Sequence, residues 1–322
     1  MKKIVWVLGV AWLSVLTLGA QTAPTTLPTA QATAVKVGPW AFPLKPDRVF
    51  PEDKTPKKLE GSTKSYTEAQ IDDLLNPPDW FPEKHPAAPE IVTKGRGDAM
   101  ACGACHLMSG LGHPESSDLT GLSAEYMIQQ MKDFKSGARI DPTRMNGIAK
   151  AVTDEEVRLA AEFFAALPRR AINKVVEQAM VPKTFLGNGR MRFLEPGNAT
   201  EPIGNRIITV PDNQEKVRLR DPENTFTSYV PPGSLAKGKE IVETGGGKTI
   251  SCTICHGNDL QGSGNIPRLA GMHPIYTVRQ LHWFKDETRN GADAALMQPA
   301  AKPLTDEDIV AVSAYLASVS PQ

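Results

Sequence analysis

The feature that most restricts this chain is a pentapeptide that occurs twice, as Cys102-Gly103-Ala104-Cys105-His106 and Cys252-Thr253-Ile254-Cys255-His256. Together the two copies use all 4 cysteines of the 322 residues. In C-x-x-C-H, two thiols three positions apart can each form a thioether with one vinyl group of a porphyrin, and the next residue places an imidazole under the iron. Three other uses of paired cysteines compete with this one. A disulfide framework serves small secreted domains that lack a core, whereas this chain is long enough to build ordinary cores. A structural zinc site can use paired C-x-x-C units, but the adjacent histidine would then be an accident occurring twice. A thioredoxin-like motif occurs once and needs no histidine. The spacing points to two c-type haems, covalently held by Cys102 and Cys105 and by Cys252 and Cys255, with His106 and His256 as iron ligands.

The motifs sit inside a longer repetition with an offset of 150. Glu90-Ile91-Val92 recurs as Glu240-Ile241-Val242, and Leu119, Gly121, Tyr126, Gln130, Phe134 and Lys135 recur as Leu269, Gly271, Tyr276, Gln280, Phe284 and Lys285. A two-residue insertion then moves the offset to 152, which pairs Met145 with Met297 and Thr153-Asp154-Glu155 with Thr305-Asp306-Glu307. Residues 86–168 and 235–322 are therefore expected to be two copies of one domain.

Within each copy the periodicity is helical. A first helix leads into the motif, shortened in the first copy by Pro86 and Pro89. A middle helix is expected over Ser123–Ser136, stopped by Gly137, with its counterpart starting near Pro274. Thr153 and Glu156 form a capping box for the last helix, whose apolar face is Val157, Ala160, Ala161, Phe164 and Leu167. Thr305, Ile309, Val312, Leu316 and Val319 repeat that layout. Each copy is a small, nearly all-α unit, and a buried porphyrin would supply the apolar centre it lacks.

The remaining segments flank these copies. Met1-Lys2-Lys3 followed by an apolar run from Ile4 to Ala20 reads as an export signal spanning 1–20. An uncleaved membrane anchor is the alternative, because the run of about 17 residues lies at the lower limit for a span. Residues 21–85 read as an arm, with a capping box at Ser65-Tyr66-Thr67-Glu68. In it Trp80 and Phe81 are expected to pack on the first domain rather than shield a haem edge. The 169–234 segment belongs to neither copy and reads as a partly ordered linker. Ile207-Ile208-Thr209-Val210 and Val217-Arg218-Leu219 are its candidate strands. It opens with Arg169, Arg170, Lys174, Lys183, Arg190 and Arg192 against one acid, Glu177, a solvated face by default and a docking patch for an acidic redox protein as the alternative. Overall the 36 basic residues balance the 36 acidic ones, which gives no field for nucleic acid.

An electron carrier gains from a filled sixth iron position, and a thioether is an apt ligand because it is soft, neutral and favours Fe(II). Met145 follows His106 by 39 residues and Met297 follows His256 by 41. They are the methionines at matching repeat positions, whereas Met108, Met127 and Met131 face Asn258, Thr277 and Leu281. His113, His273 and His282 have no histidine at their matching positions, which argues against bis-histidine haems. Each proximal histidine should donate its other N–H to a carbonyl, for which Pro267 is well placed and Ser117 is its counterpart. Arg139, Arg268, Tyr126 and Tyr276 are candidate partners for haem propionates.

These residues resemble the exported class I cytochromes c that carry two haem domains in tandem. The resemblance rests on the paired motifs, Pro267-Arg268-Leu269-Ala270-Gly271, Gln130-Met131-Lys132-Asp133-Phe134-Lys135-Ser136-Gly137, and the methionine followed by T-D-E in both copies. It implies a mainly α fold with two cytochrome c-like helical haem domains in tandem, and a periplasmic location. It also implies His/Met ligation and single-electron shuttling from a dehydrogenase or a quinol-oxidising complex to an acceptor such as a terminal oxidase. The contrasting expectation is a dihaem peroxidase, which needs one iron with an open sixth site and acid–base groups above it. Giving both copies the same methionine argues against that division of labour.

Overall fold

The computed structural model describes Met1 and residues 38–322 apart from 43, 44, 52 and 142. The expected export signal and the beginning of the arm lie outside the described residues. Among the described residues no helix is long and apolar enough to cross a membrane.

The chain from Lys36 to Gln322 forms one compact unit. Its first half contains α1 (Glu68–Ile71), α2 (Glu90–Thr93), α3 (Gly103–His106), α4 (Ala124–Ser136), α5 (Met145–Ala151) and α6 (Asp154–Ala165). The middle contains β1 (Asn173–Glu177), β2 (Met180–Pro182), β3 (Thr184–Leu186), β4 (Arg192–Leu194), β5 (Thr200–Pro202), β6 (Ile208–Pro211), α7 (Gln214–Arg218) and β7 (Phe226–Val230). Then follow α8 (Ser234–Thr244), α9 (Thr253–His256), α10 (Pro274–Lys285), α11 (Ala294–Ala301) and α12 (Asp306–Ser318). The order α2–α6 is thus repeated by α8–α12.

The helix ends follow from local chemistry. Ser123 accepts the Tyr126 N–H to start α4, and Gly137, at φ 84°, closes it in the left-handed conformation that a side chain resists. Pro274 opens α10. Thr153 and Glu156 cap α6 reciprocally, and Thr305 and Asp308 do the same for α12. Helix α2 has four residues where α8 has eleven, because Pro89 precedes it. Against α12, α8 comes so close at Gly238 that an added Cβ would collide with the Ala311 carbonyl.

Each repeat has its own apolar cluster. In the first, Ile91, Tyr126, Met127, Phe163, Phe164 and Leu167 pack together. Full burial of a ring such as Phe164, 2% exposed, is worth about 2–3 kcal/mol. In the second, Ile241, Val242, Val278, Ile309, Val312 and Leu316 pack with Ile207 and Val230 from the middle segment and Ala41 from the arm.

The middle segment differs from a loose linker. Strand β7 lies between β1 (parallel) and β6 (antiparallel), while β2 pairs with β5 and β3 with β4. Residues 217–219, expected as strand, close α7 instead, because Asn213 accepts the Lys216 N–H at 2.9 Å and starts a helical turn. The capping box of α1 is also displaced from Ser65–Glu68 to Thr67 and Gln70. Trp80 and Phe81 are buried with Leu59, Ile71 and Leu219, and the Trp80 indole donates to the Leu219 carbonyl at 2.7 Å. They tie the arm to the middle segment. Arg169 donates to the Gln322 carbonyl at 2.7 Å, and Arg192 to Thr184 at 2.8 Å.

Candidate functional site

In the first copy, Cys102 lies just before α3 and the short helix carries Cys105 and His106 on its one turn. Met145 is the first residue of α5 and is placed by Asp141. One carboxylate oxygen of Asp141 accepts the N–H groups of Thr143, Arg144 and Met145, the last at 2.9 Å. Asn146 then ties this turn to α4 by donating to the Phe134 and Arg139 carbonyls at 2.7 and 2.8 Å. These elements bring Cys102, Cys105, His106 and Met145 onto one cavity of about 840 Å³. Its walls are largely apolar, with Leu111, Leu122, Met127, Phe134, Ile148 and Phe164 among them. The volume is that of a site for a sizeable organic group.

The second quartet is held by the corresponding elements. Cys252 packs against the second core, Cys255 is exposed, His256 is buried at the end of α9, and Met297 lies within α11, half-buried against the same core. Asp293, at the start of α11, makes no side-chain cap. The two methionines therefore occupy equivalent places in sequence but are secured differently.

Both histidines are oriented by a backbone carbonyl. His106 Nδ1 lies 2.9 Å from the Ser117 oxygen and His256 Nδ1 lies 2.7 Å from the Pro267 oxygen. A carbonyl can only accept, so each Nδ1 carries the proton and each Nε2 keeps a lone pair for a metal. Burial lowers the pKa of His106 to about 4 and also lowers that of His256. Both are neutral imidazoles at neutral pH, as ligation requires. Burial likewise raises the Cys102 thiol to about 12 and the Cys252 thiol to about 11. The four cysteines are unbridged, and no group of three or more His, Cys, Asp or Glu side chains gathers as a metal cluster among the described residues.

A polar cluster spans the two copies beside the first cavity. Gln130 Oε1 accepts from Arg139 Nη1 at 2.8 Å and from Arg289 Nη2 at 2.7 Å. Gln280 Oε1 accepts from Arg139 Nη2 at 2.7 Å and from Arg289 Nη1 at 3.0 Å. Tyr276 accepts from Arg139 and Tyr126 from Arg289, at 3.2 and 2.8 Å. The six residues are three repeat pairs, each offset by 150, so the cluster has an approximate two-fold pattern. Its two guanidiniums are buried, and these six bonds all go to neutral oxygens. Arg139 Nε and Gln280 Nε2 have no protein partner, and both residues line the cavity. The arrangement offers buried positive charge and spare donors to an anion at the edge of an apolar slot, which suits the propionates of a porphyrin. The residues present therefore fit the group that the motif requires.

Of the expected propionate partners, Tyr126, Tyr276 and Arg139 line this cavity, and Arg268 does not. Arg268 is instead fully buried in an ion pair with Asp118, its own repeat counterpart, and donates to the Thr120 carbonyl at 2.8 Å. Sequence reasoning missed Arg289, whose signal was its position 150 residues after Arg139. It also missed Arg220 and Arg279, which reach the first cavity from outside the first copy and leave no local signal.

The second copy matches the cytochrome c family profile over residues 235–320. Cytochrome c-554(548) of Halomonas halodenitrificans is 41% identical over 87 residues, which is 27% of this chain and 96% of that protein. Over a longer stretch the chain is similar to the thiosulfate dehydrogenase electron acceptor of Stutzerimonas stutzeri, with 29% identity over 235 residues, 71% of this chain and 85% of the relative. Cytochrome c4 of Pseudomonas aeruginosa is 26% identical over 226 residues, 69% of this chain and 85% of its own length. Paired attachment motifs, an apolar slot that accommodates an anionic porphyrin, and near-complete coverage of a single-domain relative lead to one conclusion: the chain belongs to the cytochrome c family, with haem iron as its cofactor and electron transfer as its activity.

Proposed function

We propose that this chain is a periplasmic carrier of two haems, one in residues 86–168 and one in residues 235–322. Cys102 and Cys105 would hold the first by thioethers, with His106 and Met145 as its iron ligands. Cys252 and Cys255 would hold the second, with His256 and Met297. When bound, haem supplies a one-electron Fe(III)/Fe(II) couple. The protein's part is to fix both axial ligands, exclude water and neutralise the propionates. The Ser117 and Pro267 carbonyls hold the imidazoles in the ligating tautomer. Asp141 anchors the turn that presents Met145. Arg139 and Arg289, with Tyr126 and Tyr276, supply positive charge and donors between the copies.

The observation that carries this reading is the convergence of Cys102, Cys105, His106 and Met145 on one apolar cavity from two separate stretches of chain. Relatives named as electron acceptors of thiosulfate dehydrogenase support a dehydrogenase of inorganic sulfur compounds as the source of electrons. A redox titration combined with mass spectrometry tests the proposal. Two covalent haems per chain, both low-spin with a thioether-to-iron band in the near infrared, are expected. A single haem, or a high-spin haem that turns over peroxide, would overturn it.

A further inference from the structure

The two attachment motifs differ sharply in what covers them. In the first copy the loop after α7 lies on the motif: Arg220 donates to the Ala104 carbonyl and its other terminal nitrogen lies 3.7 Å from Asp72. Arg220, Pro222, Arg190 and Met191 of the middle segment and Lys45 of the arm all line the first cavity. Ala104, between the two cysteines, is wholly buried. Haem joined to Cys102 and Cys105 would be held at this covered stretch.

Among the described residues the second copy has no such cover. Ile254, the counterpart of Ala104, is 73% exposed, and Cys255 beside it is exposed too. Three more repeat positions carry an exposed aliphatic residue in the second copy only. Met100, Ser116 and Arg144 in the first copy become Ile250, Ile266 and Leu296 in the second, and these are 49%, 39% and 77% exposed. Met100 and Arg144 mark the rim of the first cavity, where Arg144 Nη1 lies 3.3 Å from the Met100 sulfur. By the repeat, Ile250 and Leu296 stand at the rim of the second site. The first-copy counterparts of all four exposed aliphatic residues, Met100, Ala104, Ser116 and Arg144, line the first cavity, so the repeat places the four around the second site, and apolar groups open to water in such a place mark an interaction site. Of the exposed charged groups near them in the chain, Asp259 and Asp293 are acidic, and the basic Lys248 is paired with Asp308 at 3.0 Å.

We infer that redox partners dock on the rim formed by Ile250, Ile254, Ile266 and Leu296, and that the middle segment denies them the matching face of the first copy. The occupant is an electron-transfer protein whose own cofactor edge is apolar and flanked by basic groups, which complement Asp259 and Asp293. This rests on the two-haem carrier reading above.

The test uses the full haem-loaded protein and, as probe, a basic monohaem cytochrome c with a lysine-ringed haem edge, followed by stopped-flow electron exchange. Ile254→Lys combined with Leu296→Lys should slow exchange by about tenfold or more, whereas Leu159→Lys, a change at an exposed leucine on α6, should stay within about twofold. An unchanged rate in the double variant, or an equal loss in Leu159→Lys, overturns the inference. So does a wild-type dimer that the double variant dissociates, because the rim would then belong to a second copy of the chain. Dithionite separates the two levels of the argument. If wild type and variant both take up two electrons from it while the probe rate is unchanged, only the docking surface is rejected. If wild type takes up fewer than two, the carrier reading itself fails.

Discussion

The two repeats present one chemical plan in two settings. The first is enclosed: its motif lies under the loop after α7, and its cavity is lined by residues from the arm, the middle segment and the second copy. The second has the larger apolar core, built around α8 and α12 and extended by Ile207 and Val230, yet its motif stands open to water. Backbone caps, carbonyl-bound histidines and the cross-copy cluster are shared, while the surfaces around them are not. A duplicated scaffold thus keeps what the cofactor demands and diverges where other molecules, or other parts of the chain, make contact.

The strongest test of that division lies where the repeats face each other with opposite charge. Asp118 and Arg268 occupy equivalent positions and form a buried pair. Arg268→Met leaves a carboxylate buried without its partner, and should cost about 3–5 kcal/mol, lowering Tm by roughly 10 °C. Adding Asp118→Ala should restore most of the loss, because the penalty belongs to the unpaired charge. Exchanging the charges, Asp118→Arg with Arg268→Asp, should recover at least half if the interface is truly two-fold in construction. Thermal unfolding of the haem-loaded protein measures all three. A single variant as stable as wild type would show that the pair does not hold the copies together.

A smaller contrast comes from the capping acids. Asp308 is buried, and although burial works against its charge, the Thr305 N–H, Lys237 and Lys248 hold its carboxyl well below the usual range. Glu156, its counterpart, pairs with an exposed Arg96, whose hydrogen bond lowers its pKa in a solvated setting. Asp308→Asn should cost about 2 kcal/mol, and Glu156→Gln no more than about 0.5 kcal/mol. The sign with pH follows from the depressed value. Asp308 contributes fully above its unfolded pKa of about 3.9, and the contribution is lost as pH falls below that. The stability difference between wild type and Asp308→Asn should therefore shrink on acidification, whereas a constant difference from pH 7 to pH 3 would assign the loss to packing.

What could be read from the sequence was what local chemistry decides. Ser123, Gly137, Pro274, Thr153 and Thr305 all bound helices as their residue types dictate, and Pro267 supplies its carbonyl to His256. The middle segment was harder because its strands are short and their partners distant. Asn173 of β1 pairs with Phe226 of β7, more than fifty residues later, and no local period announces such a pairing. Val217 looked like strand because it is β-branched, but the Asn213 cap decided otherwise. Arg268 was misassigned for a related reason. Its motif position invited a role near haem, while a buried aspartate 150 residues away in the chain claimed it. Long-range charge pairing leaves no trace in spacing.

The smallest expected effect bears directly on the covered motif. Arg220 sits at φ 54°, in the left-handed region that a side chain resists. It holds that conformation while contacting Ala104 and Asp72. Two substitutions separate the contact from the strain. Arg220→Ser loses the contacts and keeps the strain, and should cost about 1 kcal/mol. Arg220→Gly loses the same contacts but relieves the backbone, regaining about 0.5–1 kcal/mol, so its Tm should lie close to wild type. Both should speed amide exchange at His106 and Leu107, whose N–H groups bond within the motif turn at 3.0 and 3.1 Å, and neither should affect His256 or Gly257. Faster exchange in the glycine variant at unchanged Tm would show that Arg220 is kept, despite its strain, for the cover it provides. Equal protection in both variants would mean that the rest of the loop covers the first motif without it.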